Sequence, residues 1–119
     1  MKTILLIDDD KQYLKMMDKI FSGSEYKLVV ENETIEGIKK IRSVNPDLIL
    51  LDIDLPKKSG LELLEAGFNT INGKSIPVII VSSNSDAITR EIVKRLGAIE
   101  FISKPFEVDK LFELIQGII

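Results

Sequence analysis

Short uninterrupted apolar runs are the feature of this 119-residue chain that most restricts its fold. Ile4–Ile7, Leu48–Leu51 and Val78–Val81 each hold four apolar residues in succession. Such runs are typical of strands buried on both faces, which occur where helices cover both sides of a parallel sheet. Two further stretches, Tyr26–Val30 and Phe101–Ile102, predict two more strands. The sequence therefore predicts five strands.

Helical periodicity fills the segments after the predicted strands. Asn72-Gly73 predicts the end of the third helix, and either Ser85 or Asp86 predicts the N-cap of the fourth. Alternation of strand and helix predicts an α/β fold with a parallel sheet and right-handed crossovers, in one domain spanning residues 1–119. The apolar positions expected to face the core are Leu14, Met17 and Phe21; Ile35, Ile38 and Ile41; Leu61, Leu64, Phe68 and Ile71; Ile88, Ile92 and Leu96; and Val108, Leu111, Ile115 and Ile118.

Two residue types are missing from the sequence, which has no cysteine and no histidine. Disulfides, thiolate metal sites, cysteine nucleophiles and histidine bases are therefore excluded within these residues. The formal net charge of −3 gives no reason to expect direct nucleic-acid binding. The apolar run at the N-terminus is too short for a signal peptide or a membrane span, so we expect a cytoplasmic protein without membrane contact.

Four of the five predicted strands end in residues that could contact a charged ligand. The first is followed by Asp8 and Asp9, the third by Asp52, the fourth by Ser82 and the fifth by Lys104. Each residue has an ordinary explanation taken alone, as a turn residue, a loop hydroxyl or a surface lysine, and Asp10 is explained most simply as a helix cap. Because the carboxyl ends of parallel strands meet at one edge, where ligands of such sheets bind, the combination favours a shared site.

The chemistry of these side chains is coherent. Three neighbouring carboxylates repel one another unless a cation lies among them, and oxygen ligands with room for water suit Mg²⁺ or Mn²⁺. An aspartate can act as a covalent nucleophile and form an acyl phosphate. On this interpretation Asp52 is the nucleophile and Asp8 and Asp9 hold the metal. Ser82 and Lys104 would contact the transferring phosphoryl group.

Four stretches carry a resemblance that covers nearly the whole chain in order. They are "ILLIDDD", "PDLILLDIDLPKKSGLELL", "IPVIIVSSNSD" and "GAIEFISKPF". Together they resemble the receiver domain of two-component response regulators. The resemblance implies a flavodoxin-like doubly wound (βα)5 sandwich with the strand order 2-1-3-4-5. It also implies that the domain catalyses its own aspartyl phosphorylation and dephosphorylation.

The resemblance implies a role for particular residues. Asp52 matches the phosphoacceptor, and Asp8 and Asp9 match the acidic metal-binding pair, with Asp9 the direct ligand. Asp54 matches the residue whose backbone carbonyl reaches the metal, so Asp8, Asp9, Asp52 and Asp54 form the implied metal set. The other implied assignments are the switch residues Ser82 and Phe101, the conserved lysine Lys104 with a cis bond to Pro105, and a backbone requirement for glycine at Gly60.

The implied partner is a sensor histidine kinase or a histidine phosphotransfer protein, because the sequence has no phosphorylatable histidine of its own. Phosphorylation would change the surface formed by the fourth helix, fifth strand and fifth helix, to which a downstream effector or a second copy could bind. Ser82 would move towards the phosphoryl group while Phe101 turns inward.

Two alternatives stay open at this point. In the first, "DIDLP" is the nucleophile and acid/base pair of a haloacid-dehalogenase-like phosphatase, although that family usually has Thr or Val where Leu55 stands and places its motif on the first strand. In the second, the chain is a receiver-like interaction module that no longer uses phosphate, although such modules usually lose some of the acidic, hydroxyl and lysine positions that are intact here.

Overall fold

Seven strands and five helices follow one another in the part of the chain that the structure describes. The computed structural model describes residues 1–53, 60–84 and 86–119. In chain order the elements are β1 (Lys2–Ile7), α1 (Lys11–Phe21), β2 (Tyr26–Glu31), α2 (Thr34–Val44), β3 (Leu48–Asp52), α3 (Gly60–Glu65), β4 (Thr70–Ile71), β5 (Lys74–Ser75), β6 (Val78–Ser82), α4 (Ala87–Arg95), β7 (Glu100–Ser103) and α5 (Val108–Ile118).

The large sheet has five parallel strands in the order β2-β1-β3-β6-β7. Because β6 and β7 are its fourth and fifth strands along the chain, this is the predicted order 2-1-3-4-5. The flavodoxin-like α/β prediction is confirmed. Within the described ranges, no helix combines the length and the apolar character needed to cross a bilayer.

Two layers of helices explain the uninterrupted apolar runs. Every residue of β3 and β6 is buried, as expected for central strands covered on both faces. Alternate residues of β1 point to opposite faces, so Ile4 joins one core cluster and Leu5 the other. Helices α1 and α5 cover the first face, whereas α2, α3 and α4 cover the second.

The prediction for the third helix is wrong in its second half. Helix α3 ends at Glu65, and the chain then forms the two-stranded antiparallel hairpin β4–β5. Asn72 and Gly73 connect these strands with φ angles of 52° and 78°. Two positive φ angles in a two-residue loop are the requirement of a type I′ turn, which Asn-Gly satisfies better than any other common pair. The pair therefore turns a hairpin instead of ending a helix.

The predicted inner face of the fourth helix holds for Leu96, which packs against the core, but it is wrong for Ile88 and Ile92. Ile88 and Ile92 are 74% and 40% exposed, whereas Val93, next to Ile92 in sequence, is 2% exposed and lies in the core. A helix that packs on one side of a sheet buries a single stripe, and α4 buries the stripe that contains Val93. Of the two residues predicted to cap this helix, Asp86 accepts a hydrogen bond from the Thr89 amide at 2.7 Å, and Ser85 lies outside the described residues.

In helix α2, Ile38 and Ile41 lie against the core as predicted, but Ile35 does not. Ile35 is 64% exposed, and the close contact with the sheet is made at Gly37. A Cβ atom added to Gly37 would lie 2.8 Å from Cδ1 of Ile7, which is closer than carbon atoms approach one another. The glycine therefore lets the helix backbone approach β1.

Candidate functional site

The turn after β1 buries one aspartate and exposes the next. Asp8 is 1% exposed, and its Oδ1 accepts a hydrogen bond from the Asp10 amide at 3.0 Å. Asp10 in turn accepts hydrogen bonds from the amides of Gln12 and Tyr13 at 3.0 and 3.2 Å, so it caps α1 as predicted. Asp9, between the buried aspartate and the cap, is exposed.

An acidic cluster forms where β1 and β3 end side by side. Asp8, Asp9 and Asp52 each offer a carboxylate oxygen, and these three oxygens lie within 4.8 Å of one another. Asp52 is the last residue of β3 and is 6% exposed. Parallel pairing of β1 with β3 brings the two strand ends together, which is how residues 44 positions apart in sequence meet.

Lys104 provides the positive charge of the cluster. Its Nζ lies 2.7 Å from Oδ2 of Asp8 and 4.0 Å from Oδ2 of Asp52. The backbone amide of Lys104 donates a hydrogen bond to the carbonyl of Ser82 at 2.9 Å, which fixes the chain after β7 against the end of β6. The peptide bond from Lys104 to Pro105 is cis, as predicted.

The two implied switch residues lie on neighbouring strands. Ser82 is fully buried at the end of β6, and its Oγ accepts a hydrogen bond from the Asn84 amide at 3.0 Å. It directly follows Val81, which is paired with Asp52 across the sheet. Phe101 lies on β7, half-buried against the core cluster of the second face.

Two predicted positions concern the chain that follows β3. Asp54, the implied backbone ligand, lies outside the described residues. Gly60 begins α3, and its amide donates to the carbonyl of Ile53 at 3.2 Å. A Cβ atom added there would lie 2.7 Å from the Cα of Ile53 and 3.1 Å from the carbonyl oxygen of Asp52. Close backbone approach therefore requires glycine, as expected.

Tyr13 belongs to the site although no motif pointed to it. The Nζ of Lys104 lies 4.0 Å from the centroid of the Tyr13 ring. The Tyr13 hydroxyl is buried and has no hydrogen-bond partner among the residues that the structure describes. Burial, followed by the negative charges of Asp8 and Asp52, raises the pKa of this phenol far above its usual range. The sequence signal that could have placed Tyr13 near the sheet is its spacing. Tyr13 lies one helical turn before the buried Met17, on the face of α1 towards the sheet.

The charge balance of the site suits a divalent cation. Among residues 1–53, 60–84 and 86–119, three carboxylates of the cluster are opposed by the ammonium of Lys104, so negative charge is in excess there. Hard oxygen ligands close enough to share one ion are what Mg²⁺ prefers, and the exposure of Asp9 leaves one side open to water. The residues present therefore fit a magnesium ion held by Asp8, Asp9 and Asp52.

Comparison with known proteins agrees with this geometry. The sequence model described as response regulator receiver domain matches residues 4–116. Response regulator ArlR of Staphylococcus haemolyticus is 31% identical over 119 residues, which are all of this chain and 53% of that protein. The polar-differentiation response regulator DivK of Brucella ovis is 29% identical over 116 residues, 98% of this chain and 94% of that one. The chain thus spans about half the length of one curated relative and nearly all of another.

Solved structures show the same fold. A CheY-like receiver domain protein from Methanospirillum hungatei superposes with a TM-score of 0.87 at 29% identity, over 98% of this chain and 92% of that one. Vibrio cholerae chemotaxis protein CheY4 gives a TM-score of 0.90 at 21% identity, over 100% and 99% of the two chains, which is evidence for the fold alone. With the family match over residues 4–116, these findings show that the chain belongs to the response regulator receiver domain family of two-component systems.

Proposed function

We propose that this receiver domain accepts a phosphoryl group on Asp52 from the phosphohistidine of a partner kinase or phosphotransfer protein. The observation that carries the proposal is the position of Asp52, at the open end of a fully buried central strand and 4.0 Å from the Lys104 ammonium. Asp8 and Asp9 each bring a carboxylate oxygen within 4.8 Å of one on Asp52. These 119 residues contain no histidine, so the donor histidine lies outside them.

The proposed phosphoryl transfer is a substitution at phosphorus. A carboxylate oxygen of Asp52 forms the new P–O bond, the P–N bond of the partner's phosphohistidine breaks, and the imidazole leaves with the bonding electrons. Burial of β3 fixes the direction of the Asp52 side chain, so little conformational freedom remains to be lost when the donor arrives. The buried strand β3 would thus hold the Asp52 carboxylate in position for the attack on phosphorus.

The remaining residues of the site would bind the metal ion and neutralise the negative charge of the phosphoryl group. We assign Asp8 and Asp9 as carboxylate ligands of Mg²⁺, with the Asp54 carbonyl as a further ligand implied by the family. When bound, the ion would neutralise oxygens of the phosphoryl group. Lys104 can approach those oxygens from the side of Asp8, and the Ser82 hydroxyl, next to the strand pair of Asp52, can donate a hydrogen bond to one of them.

The same strand ends would pass the effect of phosphorylation to the surface of the domain. A phosphoryl group on Asp52 adds negative charge beside Ser82 and Lys104, which end β6 and follow β7. We propose that Ser82 moves towards that charge, that Phe101 turns inward, and that the surface of α4, β7 and α5 changes for an effector or a second copy. A cytoplasmic location, where kinase and effector meet, fits this scheme.

The test is phosphorylation by acetyl phosphate with Mg²⁺, followed by intact mass under conditions that preserve acyl phosphates. We expect the wild type to gain one phosphoryl group, Asp52→Asn to gain none, and Asp10→Asn to be labelled like the wild type, because Asp10 is a helix cap. An unlabelled wild type that also fails to bind Mg²⁺ would favour the phosphate-independent interaction module. Turnover of a generic phosphatase substrate would favour the phosphatase alternative, which the position of Asp52 on β3 does not support.

A further inference from the structure

The Lys104 ammonium contacts an aromatic ring as well as a carboxylate. Its Nζ lies 2.7 Å from Asp8 and 4.0 Å from the centroid of the Tyr13 ring. An ammonium over the face of an aromatic ring is attracted by the negative charge density of that face, most strongly where water is excluded. The Lys104 side chain is 22% exposed, so much of this contact is shielded from solvent.

The Tyr13 hydroxyl makes no hydrogen bond to a described residue that would account for a tyrosine at this site. It is buried without a hydrogen-bond partner in the described part of the chain, an arrangement that lowers stability. In the unphosphorylated protein, therefore, the contribution of Tyr13 to the site comes from its ring. A phenol is neutral near pH 7, so the ring adds no charge of its own to those of Asp8 and Asp52.

Lys104 needs such a restraint because of its own structure. A lysine side chain is a flexible four-carbon stem with a compact charge at its end, and many rotamers could carry that charge away from Asp52. The distances to Asp8 and Asp52, 2.7 and 4.0 Å, place the ammonium beside the nucleophile while it is paired with another residue. A ring in contact with the ammonium limits movement out of this position.

We propose that Tyr13 is a positioning residue for phosphoryl transfer, whose ring holds the Lys104 ammonium beside Asp8 and Asp52. The inference rests on the proposed function of Asp52 as phosphoacceptor. Tyr13 acts through Lys104, and its ring is the part that matters.

The test compares variants that keep or remove the ring. Tyr13→Phe keeps the ring, and Tyr13→Leu removes it; Tyr13→Met, a longer apolar side chain, replaces the leucine variant if that one does not fold. The matched control is Tyr26→Leu, because Tyr26 is the only other tyrosine and is a buried ring that packs on Phe21 and Phe112.

Two measurements separate positioning from general destabilisation. The first is the NMR chemical shift of the Lys104 ε-methylene protons in the unphosphorylated protein, where an aromatic face produces an upfield ring-current shift. We expect this shift in the wild type, Tyr13→Phe and Tyr26→Leu, and its loss in Tyr13→Leu. The second is the rate constant of phosphorylation by acetyl phosphate at saturating Mg²⁺, which Tyr13→Leu should lower about 3- to 30-fold and Tyr13→Phe less than about twofold.

The outcomes distinguish this inference from the proposed function. If the wild type gains no phosphoryl group, the proposed function fails and the inference falls with it. If the wild type is labelled and Tyr13→Leu is labelled at the same rate, the inference alone is overturned. It is also overturned if Tyr13→Phe loses as much as Tyr13→Leu, because the hydroxyl would then be the active part. A slow Tyr13→Leu variant with unchanged Lys104 shifts, or with a slow Tyr26→Leu control, overturns it too.

Discussion

The guanidinium carbon of Arg90 on α4 lies 4.5 Å from the centroid of the Phe101 ring on β7. The same side chain donates a hydrogen bond from Nη2 to Oγ of Ser103 at 2.9 Å, two residues further along the strand. Arg90 therefore joins the fourth helix to the strand that carries the proposed switch aromatic. It holds the Phe101 ring from the solvent side.

Removing this contact should free Phe101 with little loss of stability. Arg90 is exposed, so we expect Arg90→Ala to lower the free energy of unfolding by only about 0.5–1 kcal/mol. The Phe101 ring should show altered NMR shifts and faster side-chain exchange. Arg95→Ala is the matched control, since Arg95 makes an exposed ion pair with Glu91 on the same helix and its loss should leave Phe101 unchanged. Identical Phe101 spectra in the two variants would refute the contact.

Loss of one proposed metal ligand should weaken Mg²⁺ binding without harming the fold. Asp9→Asn removes one of the three clustered carboxylates, and we expect Mg²⁺ affinity to fall by about tenfold or more. The increase in melting temperature that Mg²⁺ gives the wild type should be largely lost. The control is Asp10→Asn, which removes the same charge from the neighbouring residue. Asparagine remains a good N-cap for α1. Equal Mg²⁺ affinities in the two variants would argue against the cluster as the site.

Glycine at position 60 should be required for stability. Gly60→Ala places a Cβ atom 2.7 Å from the Cα of Ile53, and we expect a loss of about 1–3 kcal/mol in chemical denaturation. Gly117→Ala is the opposite case, because the added Cβ would meet no described atom within 4 Å and lies in α5. Alanine favours helix more than glycine does, so that variant should gain up to about 1 kcal/mol. A stable Gly60→Ala variant would show that the backbone after β3 can move apart.

The end of β2 makes stability depend on pH through Glu31. Burial alone would raise the pKa of this carboxyl, but hydrogen bonds from Lys40 and from the amides of Glu33 and Asn32 outweigh burial and lower it below its ordinary 4.5. A lowered pKa in the folded state stabilises the protein above the unfolded-state pKa, and this contribution is lost as pH falls through the folded value.

We expect Glu31→Gln to lower the free energy of unfolding by about 1–2 kcal/mol near pH 7, with the difference from the wild type shrinking as pH falls below about 4.5. Chemical denaturation of both proteins between pH 7 and pH 3 measures this difference in the free energy of unfolding. Glu36→Gln is the control, because Glu36 pairs with Lys39 on the surface and should change stability by less than about 0.5 kcal/mol at any of these values. A difference that stays constant with pH would mean that the charge of Glu31 is not the cause.

Strand-end residues could be predicted from the sequence because a parallel sheet fixes where strand ends meet. Once β1, β3, β6 and β7 are adjacent, Asp8, Asp52, Ser82 and Lys104 must lie at one edge, whatever the details of packing. Uninterrupted apolar runs identified β1, β3 and β6, and the short stretch Phe101–Ile102 identified β7. The same logic does not reach Tyr13 and Arg90, whose roles depend on how a helix is rotated against the sheet.

Helix rotation is poorly encoded when apolar residues occupy more than one side. In α4 the spacing of Ile88 and Ile92 predicts one buried face, but Val93 belongs to the stripe that packs on the sheet. Only the tertiary contact decides between them. In the third segment, Phe68 and Ile71 continue a helical period beyond Leu64, while Asn72-Gly73 is strong hairpin chemistry. Local turn preference prevailed over periodicity there.

The hairpin of β4 and β5 has a practical consequence. It precedes the amino end of β6, whereas Ser82 and the acidic cluster lie at the carboxyl end of the sheet, so the length of a central strand separates the turn from Asp52. Asn72 and Gly73 are both exposed. A fluorophore or a short epitope attached at this turn would therefore report on the domain in a mixture with a candidate kinase while leaving the proposed phosphorylation site uncovered.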